Sequence, residues 1–247
     1  MKKAIAALVV FVVLGASSLA VFHNQLDVVG NGAVKAFDKM VQALPESSLL
    51  DDREDKTAGL PATSPSAWHI YLPGDSDKFV YSQNTANPNV INMDVFLEIA
   101  LDPFINAGLH PEQLPENYQV LDLSAAPKAV AIGGKLGDKT FSYKDDEITP
   151  AESFRHIASF YRNTIGYHAE MGHYNIDLGS GNMFEWAKDI RTNGKDIVFV
   201  LNPEPFIAAG VDPEKVEGWT YAQVPAEENG KMVQVWKLLK PFDLAVS

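Results

Sequence analysis

The segment PFINAGLHPE, Pro103–Glu112, returns 102 residues later as PFIAAGVDPE, Pro205–Glu214, with seven of ten positions identical. One repeat at so long a period does not describe a solenoid; it reads as a duplication folded into a pseudo-symmetric domain. In each copy an acid, Asp102 or Glu204, precedes a proline, which suits the first turn of a helix. Gly108 and Gly210 then suit the left-handed residue that ends a short helix. Phe104 with Ala107, and Phe206 with Ala209, fall on one helical face and should pack inward, so the segment reads as structural rather than as a binding loop.

Upstream, Gly74, Phe79 and Tyr81 align with Gly179, Phe184 and Trp186, so the copies span residues 68–136 and 173–240. Apolar alternation and turn residues predict strands at Trp68–Leu72, Phe79–Ser82, Tyr118–Leu123 and Lys128–Ile132 in the first copy. In the second they predict strands at Tyr174–Leu178, Asp196–Leu201, Trp219–Val224 and Met232–Leu238, with a helix near Asn182–Arg191 and helical turns over 203–216. Val90–Ala100 fits either a strand or a helix. The expected fold class is α+β: a duplicated, pseudo-symmetric unit of antiparallel or mixed strands with short helices. Between the copies, Thr149-Pro150-Ala151-Glu152 forms a capping-box signature. The helix it starts, over 150–165, presents Phe154, Ile157, Ala158, Tyr161 and Ile165 on one face and reads as an insertion without a counterpart.

The amino terminus carries a different signal. Lys2 and Lys3 precede an uncharged run from Ala4 to Phe22, so residues 1–22 read as a transmembrane anchor or a signal peptide, the latter with small residues at Ser18-Leu19-Ala20 for cleavage. Leu26, Val29, Ala33, Phe37, Met40 and Leu44 recur at helical spacing, which predicts an amphipathic stalk over 23–44 ended by Pro45. Residues 45–67, rich in Pro, Ser, Asp and Glu, read as a disordered linker before a folded domain at 68–247. The lysine pair favours an inside amino terminus, hence a single-pass membrane protein with its C-terminal domain outside the cytoplasm, or a secreted protein after cleavage.

Composition narrows the chemistry. The 247 residues are 46% hydrophobic, enough for a sizeable core, so the folded part needs no external staple. Zero cysteines exclude disulfides, thiol nucleophiles and thiolate metal sites. A net charge of −12 argues against nucleic acid as a partner.

The densest group of chemically capable side chains is His168, Glu170 and His173, with Asp177 and Glu185 downstream. Imidazole and carboxylate suit a divalent metal, and such a metal would activate water with Asp177 or Glu185 as base. The spacing matches no helical HExxH motif. Ser180, in Gly179-Ser180-Gly181, lacks the Gly-x-Ser-x-Gly frame, and Gly133–Gly137 lacks the phosphate-loop spacing.

Three functional readings follow. The first is a membrane-anchored, extracytoplasmic, non-catalytic module without a cofactor, binding a protein or small molecule in a cleft between the copies. The second is a metal-dependent hydrolase built on His168, Glu170 and His173. The third is an envelope protein that self-associates through its stalk helix into a homo-oligomer. The absence of a recognisable catalytic frame favours the first.

Overall fold

Period-two alternation organises most of the chain. A computed structural model describes residues 31–51, 67–82, 93–121, 129–136, 149–190, 195–228 and 231–244, and within them the strands form two six-stranded sheets. The first contains β1 (Leu49–Asp51), β2 (Ala67–Tyr71), β3 (Lys78–Ser82), β4 (Val95–Ala100), β5 (Tyr118–Leu121) and β6 (Ala129–Gly134), in the order β1-β2-β3-β4-β6-β5. The second contains β7 (Ile165–His168), β8 (His173–Gly179), β9 (Asn182–Ala187), β10 (Ile197–Leu201), β11 (Thr220–Glu228) and β12 (Lys231–Phe242), in the order β7-β8-β9-β10-β12-β11. Helix α1 (residues 31–43) precedes β1, and α2 (Asp102–Asn106) follows β4. Likewise α3 (Pro150–Phe160) precedes β7, and α4 (Glu204–Ala208) follows β10. Every strand pair among the described residues is antiparallel.

The two sheets agree in register as well as in order. Phe79 faces Leu97, which faces Ile132; Phe184 faces Phe199, which faces Lys240. Leu49 faces Ile70 as Ile165 faces Ile176. A one-residue slip would move every apolar side chain to the wrong face, so this register is fixed by the inward rows: Trp68, Ile70 and Leu72 on one side, Tyr174, Ile176 and Leu178 on the other, all buried. Polar pins repeat too. The Asp94 carboxylate accepts from the Leu136 N–H and Asp196 from the Leu244 N–H, each tying down the chain after the last strand of its copy.

The copies meet at the repeated segment. The Ala209 carbonyl accepts from the His110 N–H at 2.8 Å, and the Ala107 carbonyl accepts from the Asp212 N–H at 2.9 Å, a reciprocal pair across a pseudo-twofold axis. Gly108 and Gly210, at φ +107° and +99°, lie against each other's carbonyls: a Cβ on either would sit 2.6 or 2.7 Å from the opposing oxygen. Phe104 stacks on Phe206 at 4.6 Å and Phe79 on Phe184 at 4.1 Å. Aromatic rings and a backbone clasp therefore occupy the place where a ligand cleft between the copies was expected.

Helices α1 and α3 are also counterparts. Ala36, Phe37, Met40, Val41 and Leu44 are buried, and so are Ser153, Phe154, Ile157, Ala158 and Tyr161, at the same spacing. The capping box at Thr149 and Glu152 forms as expected. Each helix presents its phenylalanine to an aromatic ring of the other copy: Phe37 edge-on to Trp186 at 5.2 Å, Phe154 to Tyr81 at 6.4 Å. Asp38 and Arg155 join the two helices at 2.6 Å.

This arrangement corrects several expectations. The helix at 150–160 is not an insertion but half of a matched pair, and the repeat begins at α1 rather than at Trp68. The described part of the expected stalk, residues 31–44, is a layer of the core: Ala33, Ala36, Phe37, Met40, Val41 and Leu44 are spent inside the domain, while residues 23–30 lie outside the described residues. Ser48 is buried and β1 pairs with β2, so the segment read as linker enters the fold at 46–51; residues 52–66 lie outside the described residues. The anchor or signal expected over residues 1–22 also lies outside them. Among the described residues no helix is long and apolar enough to cross a membrane, which corrects the expected single-pass anchor, the membrane as partner and the cell-membrane placement. The fold is α+β with two similar antiparallel sheets.

The helix expected near Asn182–Arg191 is strand β9 over Asn182–Ala187. The preceding turn explains it: Gly179, Ser180 and Gly181 all have positive φ, at 85°, 54° and 78°, and return the chain as a hairpin. Phe184 and Trp186 then face the core as alternate strand residues.

Candidate functional site

The face of the second sheet turned away from the core carries the candidate site. Strand alternation that buries Phe184 and Trp186 puts Met183 and Glu185 on this face, beside Val200 of β10 and Leu239 of β12. Strand β12 pairs with β10 only from Leu238 onward, whereas its earlier residues pair with β11 alone. The resulting ribbon brings Val224, Ala226, Val235 and Lys237 to the same face, and Pro225 and Glu227 also line the space beneath it. With His168, Met171 and Gly181 they enclose a cavity of ≈ 230 Å³.

At one end of the cavity, two imidazoles share one carboxylate. The β7–β8 hairpin sets His168 directly opposite His173. From β9, Glu185 Oε1 lies 2.9 Å from His168 Nδ1, and Oε2 lies 3.2 Å from His173 Nδ1. An ionised carboxylate only accepts, so both Nδ1 atoms carry their protons and donate. His168 Nε2 remains for a ligand, and no protein atom among the described residues bonds it. His173 and Glu185 are buried; His168 is half-exposed at the cavity wall. His173 also lines a neighbouring, more polar cavity of ≈ 460 Å³ with Tyr167, Lys188, Asp189 and Lys195.

The electrostatics reinforce the geometry. Burial pushes the Glu185 carboxyl up, but the hydrogen bonds and charges of His168 and His173 together outweigh it and hold the group below the ordinary glutamate value. The hydrogen bond to Glu185 raises His168 above the ordinary histidine value, against burial and the nearby Lys237 charge. The raised His168 contributes stability that is complete below its ordinary value of 6.5 and lost as pH rises through its folded value. The lowered Glu185 contributes stability present above 4.5 and lost as pH falls through its folded value. The cluster therefore supports the fold most between those values. Titration of the histidine ring protons by NMR should show His168 changing charge at higher pH than a free histidine; in Glu185→Gln this upward shift should vanish. An unchanged His168 titration in that variant would remove Glu185 as the cause.

The structure brings together His168 and His173 from the expected metal set but not Glu170, which is exposed in the intervening turn. Asp177 is likewise turned outward, its carboxylate accepting from the Gly179 N–H. Both Glu185 oxygens are taken by imidazole N–H groups, and among the described residues no group of three or more His, Cys, Asp and Glu side chains is placed to hold a metal ion. The metal-dependent hydrolase is corrected on that geometry. Glu185 is the residue whose central position sequence reasoning missed. Its signal was present, an acid between Phe184 and Trp186, but it becomes legible only when the segment is read as a strand.

No family model, curated protein or solved structure matches the chain.

Proposed function

We propose that this domain binds a small, largely apolar molecule in the cavity under the β11–β12 ribbon and carries out no chemistry on it. The observation that carries the reading is the joining of apolar walls to one convergent polar end, where His168 is held by Glu185 and offers its remaining nitrogen. A dry cavity of about 150 Å³ accommodates benzene, so ≈ 230 Å³ suits a single ring or its aliphatic equivalent bearing a short polar substituent. Binding is favoured over catalysis because the lining among the described residues includes no Ser, Thr, Tyr or Cys that His168 could activate as a nucleophile.

Ligand-observed NMR with benzoate, benzamide and benzylamine tests the reading. At least one of the three should bind saturably, and Ala226→Leu, which fills the cavity from the ribbon side, should weaken that binding by roughly tenfold or more through lost space. Failure of all three to bind, or binding indifferent to Ala226→Leu, would overturn it.

A further inference from the structure

We propose that Lys240 Nζ and Asp77 Cγ condense to an intramolecular amide bond between the two copies, with Asp75 as the group that carries the protons.

Three side chains meet where the β2–β3 turn of the first copy touches β12 of the second. Lys240 stands opposite the buried Phe199, in the same inward row of β12 as Leu238, so its stem runs toward the core rather than into water. Its side chain is 15% exposed, its Nζ lies 2.7 Å from Asp77 Oδ2 and also pairs with Asp75 Oδ2, and the Trp219 ring centre lies 5.6 Å away. Asp77 is buried, and its carboxyl carbon is one bond beyond the oxygen that Nζ touches. Its other oxygen accepts from the Ala100 N–H at 2.7 Å. Asp75 accepts from the Asp77 N–H at 3.0 Å, which fixes it beside both reacting groups.

The second copy shows what the fold alone needs at this place. There Asn182 stands where Asp77 does: its side-chain oxygen accepts from the Asn202 N–H at 2.9 Å, as Asp77 accepts from the Ala100 N–H. Asn182 Nδ2 meets Tyr118 of the first copy at 3.0 Å. A neutral amide and a phenol therefore make the same cross-copy pin. In its place the first copy sets one ammonium and two carboxylates, three charges drawn from water, and amide formation removes two of them.

The two acids are held in different states. Burial pushes the Asp77 carboxyl above the ordinary aspartate value, against the pull of Lys240 and the Ala100 N–H. At Asp75 burial acts the same way, but the hydrogen bonds and charge of its neighbours, Lys240 foremost, outweigh it and hold the group below that value. One acid thus favours the neutral form of an electrophile and the other the ionised form of a base. One ammonium proton passes to Asp77 Oδ2, leaving a neutral amine beside a neutral acid. Nζ then attacks Cγ, and the charge developing on Oδ1 falls on the Ala100 N–H. Asp75 takes a second proton from Nζ and delivers it to Oδ2, which leaves as water. One C–N bond forms, one C–O bond breaks, and Asp75 ends ionised as it began. The bond ties residues 163 positions apart.

Intact-mass spectrometry of the full chain tests this directly: the folded protein should be lighter than its sequence by one water, and proteolysis should release a branched peptide joining Asp77 to Lys240. Lys240→Arg keeps the charge without the nucleophile and should restore the full mass. Asp75→Asn should slow the condensation about hundredfold or more and leave most of the purified chain unbonded. Full sequence mass in the unmodified chain would overturn the bond. So would a missing water that persists in Lys240→Arg, since that marks an aspartate dehydrated onto its own backbone. Complete bonding in Asp75→Asn would overturn the role given to Asp75.

Discussion

Phe37→Ala should lower the unfolding free energy by about 3–5 kcal/mol, the range for removing a buried phenylalanine from a packed core. Phe37 is fully buried on α1, with Trp186 edge-on at 5.2 Å and Phe154 at 6.3 Å. Its removal opens a cavity bounded by elements of both copies, and helix and sheet cannot close it without shifting the matched Phe154. Equilibrium denaturation of the full chain, followed by tryptophan fluorescence, measures the change directly because Trp186 reports on the site. A loss below about 1 kcal/mol would mean that α1 is dispensable to the core. The same reasoning governs truncation: a chain beginning at Trp68, where sequence alone places the domain boundary, lacks α1 and β1 and should not fold cooperatively.

Gly108→Ala should be comparably damaging although it adds a single methyl group. At φ +107° an L-residue pays about 1–2 kcal/mol for the left-handed conformation. Its Cβ would then lie 2.6 Å from the Gly210 carbonyl oxygen, backbone that cannot rotate away. Relief requires separating the two loops, which strains the hydrogen bonds from the His110 and Asp212 N–H groups. Overpacking of this kind adds about 1–3 kcal/mol, for a total of roughly 2–5 kcal/mol. Gly210→Ala should match it by symmetry. By contrast, Gly74→Ala, where φ is also positive but no atom lies within 4 Å, should show only the conformational part. If Gly108→Ala and Gly74→Ala lose the same stability, the close approach at the axis is not what the repeated glycine serves.

Much of the fold was legible because it rests on short-range rules. The Pro103 and Pro205 segments announce helix starts and glycine stops, and alternation locates eight of the strands, although it ends β11 and β12 four residues short and does not find β1, β7 or β9. The pairing of α1 with α3 was hidden because their common feature is a burial pattern, not an identity: Phe37 and Phe154 match, but Met40 stands where Ile157 does and Leu44 where Tyr161 does. Pattern without identity looks the same whether a helix serves as a stalk or as a core layer. The site was half legible. His168 and His173 drew attention as ligating types, but Glu170 drew it for the same reason, and only the hairpin register separates a residue on the strand from one in the turn. Glu185 stands out in the sequence only as an acid that could serve as a base; its place between the two histidines depends on the hairpin turn at Gly179, Ser180 and Gly181, in a segment whose sequence predicts a helix from Asn182.

The matched registers also show how the labour is divided between the copies. Val80 occupies in the first sheet the position that Glu185 holds in the second: Val80 faces Phe96, and Glu185 faces Val198. Around Val80 the outer face carries no counterpart of the Glu185 carboxylate: Met93, Phe96, Leu121, Ala129 and Ala131 are buried beside it, His69 lies opposite it, and Lys78 and Glu98 pair with each other on the same face. A buried carboxylate carrying two imidazoles is a burden that a lone small domain bears poorly, since any loosening leaves charge stranded in apolar surroundings. Here the burdened half is clasped through its backbone and its helices to a half free of it. One copy serves as ballast, and the other is at liberty to specialise.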